Sequence, residues 1–294
     1  MASVSRYNPH TPVNNGQAKD PEMERDLKVA AISMNCPGGN PEAVYSHISR
    51  LTRSLAALDV ELLCFPEACL TGYSVRPQEA RAWAIPLENS WIESLRKMCS
   101  EKGVTLLVGM MERDPQERLF LTHLAISPKG GLTVYRKAHL SPQEALLFQA
   151  GWEPALFSTG PALGAMALCY EAHFPEWSLK MTLDGAEILC FPSASPGETP
   201  QEKMERWLRF MPARAYDNGA FVMACNQSGD NGAGLSFPAV SLILDPKGRL
   251  LASQTGDGEA VAVALLRAEE IKRVRNHPLA HFLRHRRPEL YGDN

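Results

Sequence analysis

The chain has 294 residues, 45% of them hydrophobic and 21% charged, which is the composition of a globular protein with room for one large domain or two small ones. Its net charge of −3 supplies no basic surface for nucleic acid, so we expect no nucleic-acid partner. No apolar segment approaches the roughly 20 residues that a membrane-spanning helix needs, so we expect no membrane partner either.

The first residues and the cysteines of the chain both indicate where the protein resides. Residues 1–26 lack the apolar core of a secretory signal, so we expect a poorly ordered arm there. The seven cysteines are an odd number without a CxxC pair, and most lie within apolar segments. Such cysteines are typical of reduced, buried thiols, and they predict a cytoplasmic protein.

Short apolar strands alternate with amphipathic helices, which predicts an α/β fold. The predicted strands are 27–34, 61–65, 104–111, 121–128, 132–140, 164–169, 186–191, 220–226, two within 239–253, and 260–266. The predicted helices are 41–59, 88–101, 175–185 and one long helix over about 199–218. No linker divides this stretch, so we expect a single domain over 27–276 and a basic C-terminal tail over 277–294.

The apolar strands also predict how the layers stack. They are too hydrophobic to leave one face in water, so helices should cover one side of a sheet and a second sheet the other. The strings LCFPEA and LCFPSA, at 63–68 and 189–194, differ only at Glu67 and Ser193. Folding alone would have required the same residue in both copies. We therefore interpret them as two central strands that open on one pocket, with Glu67 as a functional carboxylate.

Two further segments place reactive side chains near the ends of strands. Cys169 ends the strand 164–169 and precedes a polar turn, where free backbone N–H groups can hold an anion. Catalysis by cysteine needs a thiolate, and therefore a base or a cation nearby. Lys137 lies near the end of the strand 132–140. Local sequence leaves open whether Cys169 is reactive or a core residue, and whether Lys137 is functional or simply solvated.

Glu67, Lys137 and Cys169 together resemble the catalytic triad of the nitrilase superfamily, the carbon–nitrogen hydrolases. The segments FPEACLTGY, YRKAHL and LCYEAHFPE are similar to the family's glutamate, lysine and cysteine motifs, in that order and with similar spacing. The resemblance continues through GAEILCFPSAS and ARAYDNGAFVMACNQSG to RRPELYG, so it covers nearly all the chain after about residue 27. It implies a four-layer αββα sandwich and a chemistry that needs no metal or organic cofactor.

The resemblance also implies a role for each of these residues. Glu67 would be the general base and Cys169 the nucleophile, while Lys137 and the backbone N–H of Tyr170 would stabilise an oxyanion. Glu144 stands where relatives tend to carry a structural or catalytic glutamate, and it would hold Lys137 or orient the substrate. The alternative for Glu144 is a solvated side chain at the start of a helix. The implied reaction cleaves a non-peptide C–N bond of a small linear amide and releases ammonia and a carboxylic acid.

The segment after the nucleophile departs from the family pattern. Glu171 and His173 stand where many relatives have Asp and Arg, which leaves the substrate open. An N-carbamoyl amine or amino acid, which would yield ammonia and carbon dioxide, is the main alternative to an amide. A nitrile and a non-catalytic binding role are further alternatives. We expect the substrate to contact Tyr73, Tyr170, His173 and Ser193.

Three histidines near the C-terminus could suggest a metal site. His277, His281 and His285 are spaced by four, as ligands on one helix face can be. Pro278 interrupts that helix and arginines crowd it, so we favour a basic tail that docks on a partner subunit. We accordingly expect a homodimer or a higher homo-oligomer, assembled through this tail and the helices after Cys169.

Removal of metal ions should leave the rate of amide hydrolysis unchanged, because the implied chemistry uses only side chains and backbone N–H groups. The measurement is ammonia release before and after incubation with EDTA. A loss of rate that added zinc restores would contradict this expectation and return the three histidines as candidate ligands.

Overall fold

The structure is a computed structural model that describes residues 23–290. Its strands are β1 (Leu27–Asn35), β2 (Leu62–Cys64), β3 (Thr105–Arg113), β4 (Leu119–Ile126), β5 (Leu132–Arg136), β6 (Ala155–Ser158), β7 (Leu163–Met166), β8 (Ile188–Ser193), β9 (Phe221–Asp230), β10 (Ser236–Phe237), β11 (Ala239–Leu244), β12 (Leu250–Gly256) and β13 (Ala260–Leu266). Its α-helices are α1 (Pro41–Ala56), α2 (Pro77–Trp83), α3 (Ser90–Lys102), α4 (Pro175–Leu183), α5 (Pro200–Trp207), α6 (Met211–Asn218) and α7 (Ala268–Arg275). None of these helices is long and apolar enough to cross a membrane.

The strands form two similar sheets that are joined at one point. The first has the order β5-β4-β3-β2-β1-β13, with β1, β2 and β3 parallel and the flanking strands antiparallel. The second has the order β12-β11-β9-β8-β7-β6, with β9, β8 and β7 parallel. The sheets meet where Met34, near the end of β1, pairs with Gln227 in β9. The two copies of LCFP therefore occupy the second parallel strand of each sheet.

Apolar packing confirms the predicted four-layer αββα sandwich. One core cluster lies between the sheets and includes Cys64 of β2 and Cys190 of β8. A second cluster packs α1 and α3 on the outer face of the first sheet, with Ile48 among its members. A third packs α4, α5 and α6 on the outer face of the second sheet, with Trp207 among its members. Each sheet is thus covered by helices on one side and by the other sheet on the other.

Helix α1 shows how local sequence sets one of these layers. The side chain of Asn40 caps the helix by accepting the backbone N–H of Ala43 at 3.1 Å. The apolar residues at helical spacing all face the sheet, and they are Val44, Ile48, Leu51 and Leu55. The predicted helix over 41–59 is confirmed except for its last residues, because α1 ends at Ala56.

The single long helix predicted over 199–218 was wrong. The chain forms α5 and α6 instead, with a break at 208–210. Pro212, at the second position of α6, has no N–H to donate to the preceding turn, so one helix cannot continue through it. Helices α2 and α7 and the short strands β6 and β10 were not predicted.

The predicted termini are only partly covered, because residues 1–22 and 291–294 lie outside the described residues. The prediction of a poorly ordered arm is wrong for residues 23–26. Met23 is fully buried and its N–H donates to the Glu187 carboxylate at 2.5 Å, while the N–H of Glu24 donates to the Pro161 carbonyl at 2.8 Å. Residues 277–290 hold two short 3-10 turns, and their place at a subunit interface stays a prediction.

All seven cysteines lie among the described residues and carry free thiols. Six of them are buried, as the apolar surroundings of most of them predict. Cys169 alone among the seven is partly exposed.

Gly109 in β3 packs directly against the turn that carries Glu67. A Cβ at this position would lie 2.3 Å from the backbone N of Ala68 and 3.0 Å from the carbonyl carbon of Glu67. Because backbone has to move, Gly109→Ala should lower the free energy of unfolding by about 1–3 kcal/mol, as overpacking does. Urea denaturation measures this loss. Gly258→Ala is the matched control, since a Cβ there meets nothing within 4 Å, and equal losses in both variants would contradict the prediction.

Candidate active site

Glu67 lies in the turn after β2, and both of its carboxylate oxygens have buried partners. Oε1 accepts from Nζ of Lys137 at 2.8 Å, and Oε2 accepts from the backbone N–H of Ala194 at 2.9 Å. Nε2 of Gln227 donates to the backbone carbonyl of Glu67 at 2.8 Å. Ala194 directly follows Ser193 in the second copy of LCFP. The two similar strands therefore end at one carboxylate, as the sequence predicts.

Lys137 is buried between two carboxylates. Its Nζ donates to Oε1 of Glu67 and to Oε1 of Glu144, each at 2.8 Å. Glu144 is held in turn by the hydroxyl of Tyr73 at 3.0 Å and by the backbone N–H of Ser141 at 2.7 Å. The side chain of Glu144 is only 3% exposed, so the alternative of a solvated glutamate was wrong.

Cys169 opens a 3-10 turn just after β7 in a strained backbone conformation. Its φ is 43°, in the left-handed region that residues with a Cβ rarely adopt. Ala68, which directly follows Glu67, has a φ of 50°. Such residues cost on the order of 1–3 kcal/mol and persist where the surrounding structure enforces them. The two turns that carry Glu67 and Cys169 are thus both held in conformations that local sequence disfavours.

The charges around Cys169 set its protonation and that of its neighbours. Burial raises the pKa of the Cys169 thiol to about 11, and the Glu67 carboxylate adds to the rise while Lys137 opposes it. Burial also raises the pKa of Glu67 to about 7, and the positive charge of Lys137 again opposes the rise. Burial alone would lower the pKa of Lys137, but its two carboxylates raise it, and Lys137 lowers the pKa of Glu144. The resting site therefore holds a thiol beside a carboxylate that titrates close to neutrality.

Glu171 ties the turn that carries Cys169 to the segment that follows Lys137. One carboxylate oxygen accepts the backbone N–H groups of the two residues after Lys137, both at 2.9 Å. The other accepts the N–H of Leu168, directly before Cys169, at 2.6 Å, and the hydroxyl of Tyr135 donates to the carboxylate at 2.6 Å. The sequence only associated Glu171 with substrate choice. The structure places it as a fully buried brace between two parts of the site.

The four residues expected to contact the substrate lie in two different settings. Tyr73 and Ser193 are buried, with the Tyr73 hydroxyl donating to Glu144 and the Ser193 hydroxyl donating to a carbonyl of its own strand at 3.3 Å. Tyr170 and His173 are exposed, and their ring centroids lie 6.1 Å apart. Only the second pair presents open surface beside Cys169. Substrate contact by any of the four stays a prediction.

The sequence analysis missed Lys203, a lysine on α5 whose side chain is fully buried. Its Nζ donates to Oγ of Ser195 at 2.6 Å and lies 3.1 Å from Oε2 of Glu198. A signal was present in the helical period, since Met204 and Trp207 are buried on the same helix and Lys203 lies four residues before Trp207. A lysine at such a position stands on the apolar face.

The C-terminal histidines make local contacts. Nδ1 of His277 accepts the N–H groups of Leu279 and Ala280, at 3.1 and 3.0 Å. Nε2 of His285 lies 2.8 Å from the Pro278 carbonyl. Across residues 23–290, no three His, Cys, Asp or Glu side chains are grouped as metal ligands.

Comparison with known proteins agrees with this fold and its motifs. The family described as "Carbon-nitrogen hydrolase" matches residues 28–276. The chain is 34% identical over 220 residues to a 2-oxoglutaramate amidase of Bacillus subtilis, covering 73% of this chain and 81% of that protein. It is 28% identical over 269 residues to a nitrilase of Pyrococcus abyssi, covering 90% of this chain and 99% of that one.

The solved structures give the same answer for the fold. An amidase from Nesterenkonia sp., with the acetamide moiety of fluoroacetamide covalently added at its active site cysteine, superposes with a TM-score of 0.78 at 22% identity. The alignment covers 91% of this chain and 96% of that one. The αββα sandwich is thus the fold of nitrilase-superfamily structures. The chain belongs to the carbon–nitrogen hydrolase family and is an enzyme of that family.

The pH dependence of the reaction should report the ionisation of Glu67. A carboxyl group accepts a proton only when it is ionised, and its pKa is raised to about 7. The value of kcat/KM should therefore rise with pH through about 7 and level off above it, which a profile from about pH 5 to about pH 9 measures. A rate that is constant down to about pH 5 would show that Glu67 is not the proton acceptor.

Proposed function

We propose that the protein hydrolyses the C–N bond of a small linear non-peptide amide through a thioester on Cys169, releasing ammonia and a carboxylic acid. The observation that carries this proposal is the buried ion pair between Glu67 and Lys137, at 2.8 Å, whose two charges both act on the Cys169 thiol. The amidase names of several relatives support the choice of an amide.

The first step forms the carbon–sulfur bond. Sγ of Cys169 attacks the amide carbonyl carbon, and Glu67 takes the thiol proton as the bond forms. A thiol with a pKa of about 11 is almost fully protonated at neutral pH, so proton transfer has to accompany attack. The carbonyl π electrons move onto oxygen, where the Lys137 ammonium and the backbone N–H of Tyr170 stabilise the negative charge.

The later steps reuse the same carboxyl group. The oxyanion collapses, the C–N bond breaks, and Glu67 returns its proton to the leaving nitrogen, which departs as ammonia. Water then attacks the thioester carbonyl while Glu67 accepts its proton. The C–S bond breaks to give the acid, and the Cys169 sulfur recovers a proton from Glu67. The cycle is balanced without an external acid, oxidant or metal ion.

Glu144 contributes through Lys137 in this proposal. Its hydrogen bond to Nζ fixes the ammonium, and its negative charge raises the pKa of Glu67. Glu67 and Glu144 carry two negative charges against the single positive charge of Lys137, so the three side chains together have excess negative charge. Glu67 is therefore a stronger base than an isolated ion pair with Lys137 would make it.

Cys169→Ala should abolish turnover, with a loss of at least about a thousandfold in kcat, because no thioester can form. The measurement records ammonia and carbon dioxide together from primary amides and from N-carbamoyl compounds. Cys99→Ala, which truncates a buried thiol of α3, is the matched control and should keep its activity.

Release of ammonia without carbon dioxide, lost in Cys169→Ala and kept in Cys99→Ala, supports an amide as the substrate. Release of ammonia and carbon dioxide together would indicate an N-carbamoyl substrate, hydrolysed by the same residues. Turnover that survives in Cys169→Ala would remove the mechanism.

A further inference from the structure

His123 is a fully buried histidine that the proposed mechanism does not use. It lies in β4 and points into the layer between the sheets, as Leu121 and Ala125 do on the same face of the strand. Neither of its ring nitrogens has a hydrogen-bond partner within residues 23–290. Buried polar atoms are nearly always paired, so an unpaired ring at this depth requires an explanation.

The ring of His123 lies beneath the turn that carries Glu67. We call residues 66–71 the Glu67 turn. Gly109 in β3 is the cross-strand partner of His123. The Cβ that Gly109 lacks would lie 2.8 Å from Nδ1 of His123 and 2.3 Å from the backbone N of Ala68, the residue after Glu67. The ring and the turn are therefore neighbours across a single glycine, on the strand pair that supports both.

The Glu67 turn is attached to β3 at few points. The N–H of Leu70 donates to the Gly109 carbonyl at 2.9 Å, and Oγ1 of Thr71 accepts the N–H of Met111 at 2.9 Å. Strands β3 and β4, by contrast, pair at eight successive positions. The positive φ of Ala68 stores strain that an open turn would relax. Water therefore reaches the ring more easily when the turn opens than when the strands separate.

Opening the Glu67 turn also takes the site apart. Further bonds of the turn are those of Glu67 itself, whose carboxylate accepts from Lys137 and from the N–H of Ala194. Its backbone carbonyl accepts from Nε2 of Gln227. These three partners belong to different strand segments, so all three bonds are lost when the turn moves away. The position of the carboxylate is thereby linked to the state of the ring below it.

A proton on His123 cannot be accommodated while the ring is buried. Burial lowers the pKa of His123 to about 3, and the backbone of Leu107 opposes the shift without forming a hydrogen bond to either nitrogen. An exposed histidine takes up its proton near about pH 6.5, so between that pH and about 3 only the open form is protonated. Acid therefore favours the open form, and neutral pH favours the closed one.

The other titratable groups around the ring do not supply a counter-charge. On the elements next to His123 they are Glu67 and Cys69 of the Glu67 turn, Cys64 of β2, Tyr135 of β5, Lys137 just after β5, and Cys190 and Cys225 of the facing sheet. Glu67 is bound to Lys137, and the hydroxyl of Tyr135, opposite His123 in the sheet, donates to Glu171. Glu112 of β3 lies on the opposite face and pairs with Arg136.

We propose that His123 is an acid-operated release for the Glu67 turn. Uptake of one proton by the ring moves the turn away from β3 and takes the Glu67 carboxylate out of the site, and loss of that proton at neutral pH restores both. The effect on catalysis rests on the proposed role of Glu67, whereas the movement of the turn does not. The enzyme is thus switched off in acid by a local change, with the rest of the sandwich intact.

Cys69 reports the release, because it directly follows Ala68 in the Glu67 turn. It is buried, and its Sγ donates to the Gly109 carbonyl at 3.7 Å. The wild type and His123→Leu are treated with dithiodipyridine at about pH 7 and at about pH 5, and peptide mass spectrometry gives the labelling rate of Cys69. The ratio of the wild-type rate to the variant rate should rise by roughly twentyfold from the higher pH to the lower, as one linked proton provides.

His123→Asn and His285→Leu are the matched controls. Asparagine is polar but does not titrate, so His123→Asn should behave like His123→Leu, and it replaces that variant if His123→Leu does not fold. His285 is an exposed histidine near the C-terminus, so His285→Leu should behave like the wild type. A rate ratio that stays constant with pH would overturn the proposal. Labelling of Cys99, buried in α3, as fast as Cys69 would also overturn it, because the whole domain would then be opening.

Labelling needs no turnover, so the test separates this proposal from the proposed function. A pH-linked release of Cys69 in a protein that hydrolyses no amide would overturn the proposed function and leave the release standing. Amide hydrolysis that depends on Cys169, without a pH-linked release, would overturn the release alone.

Discussion

The site depends on one buried ammonium, that of Lys137, held between the carboxylates of Glu67 and Glu144. An ion this deep in the protein is tolerated only when it is paired, and Lys137 has two partners at 2.8 Å. The second partner changes the chemistry as well as the stability. Burial raises the pKa of Glu67 against the opposing charge of Lys137, and the negative charge of Glu144 adds to the rise, so Glu67 remains able to accept a proton.

This charge balance requires that distant parts of the chain meet at hydrogen-bond distance. Glu67 comes from the first sheet, yet one of its oxygens is held by the N–H of Ala194 at the edge of the second. Glu171 joins the segment after Lys137 to the residue before Cys169. The carboxylates thus serve as cross-links between backbone segments, and the contacts that hold the two sheets in register also assemble the site.

Much of this arrangement could be predicted because its signals are local. Glu67 and Cys169 interrupt apolar strands, and the two copies of LCFP are followed by different residues, Glu67 and Ser193. The brace by Glu171 could not be predicted, because its main partners are backbone N–H groups that carry no sequence signature. Lys203 was missed because a lysine in a polar-looking segment is usually solvated, and Pro212 was overlooked in the long helix. The brace is a tertiary contact that periodicity does not carry, whereas the helical period around Lys203 and the proline of α6 were local signals.

The exposure of the thiols has a practical consequence for anyone who handles this enzyme. Six of the seven cysteines are sealed in the folded core, whereas Cys169 reaches the surface in part. Under the mechanism proposed above, a haloacetamide reagent shaped like an amide would react first at Cys169, because the other six cysteines are buried. The same difference in exposure means that, under the proposed mechanism, modification of Cys169 would stop turnover without disturbing the thiols packed in the core.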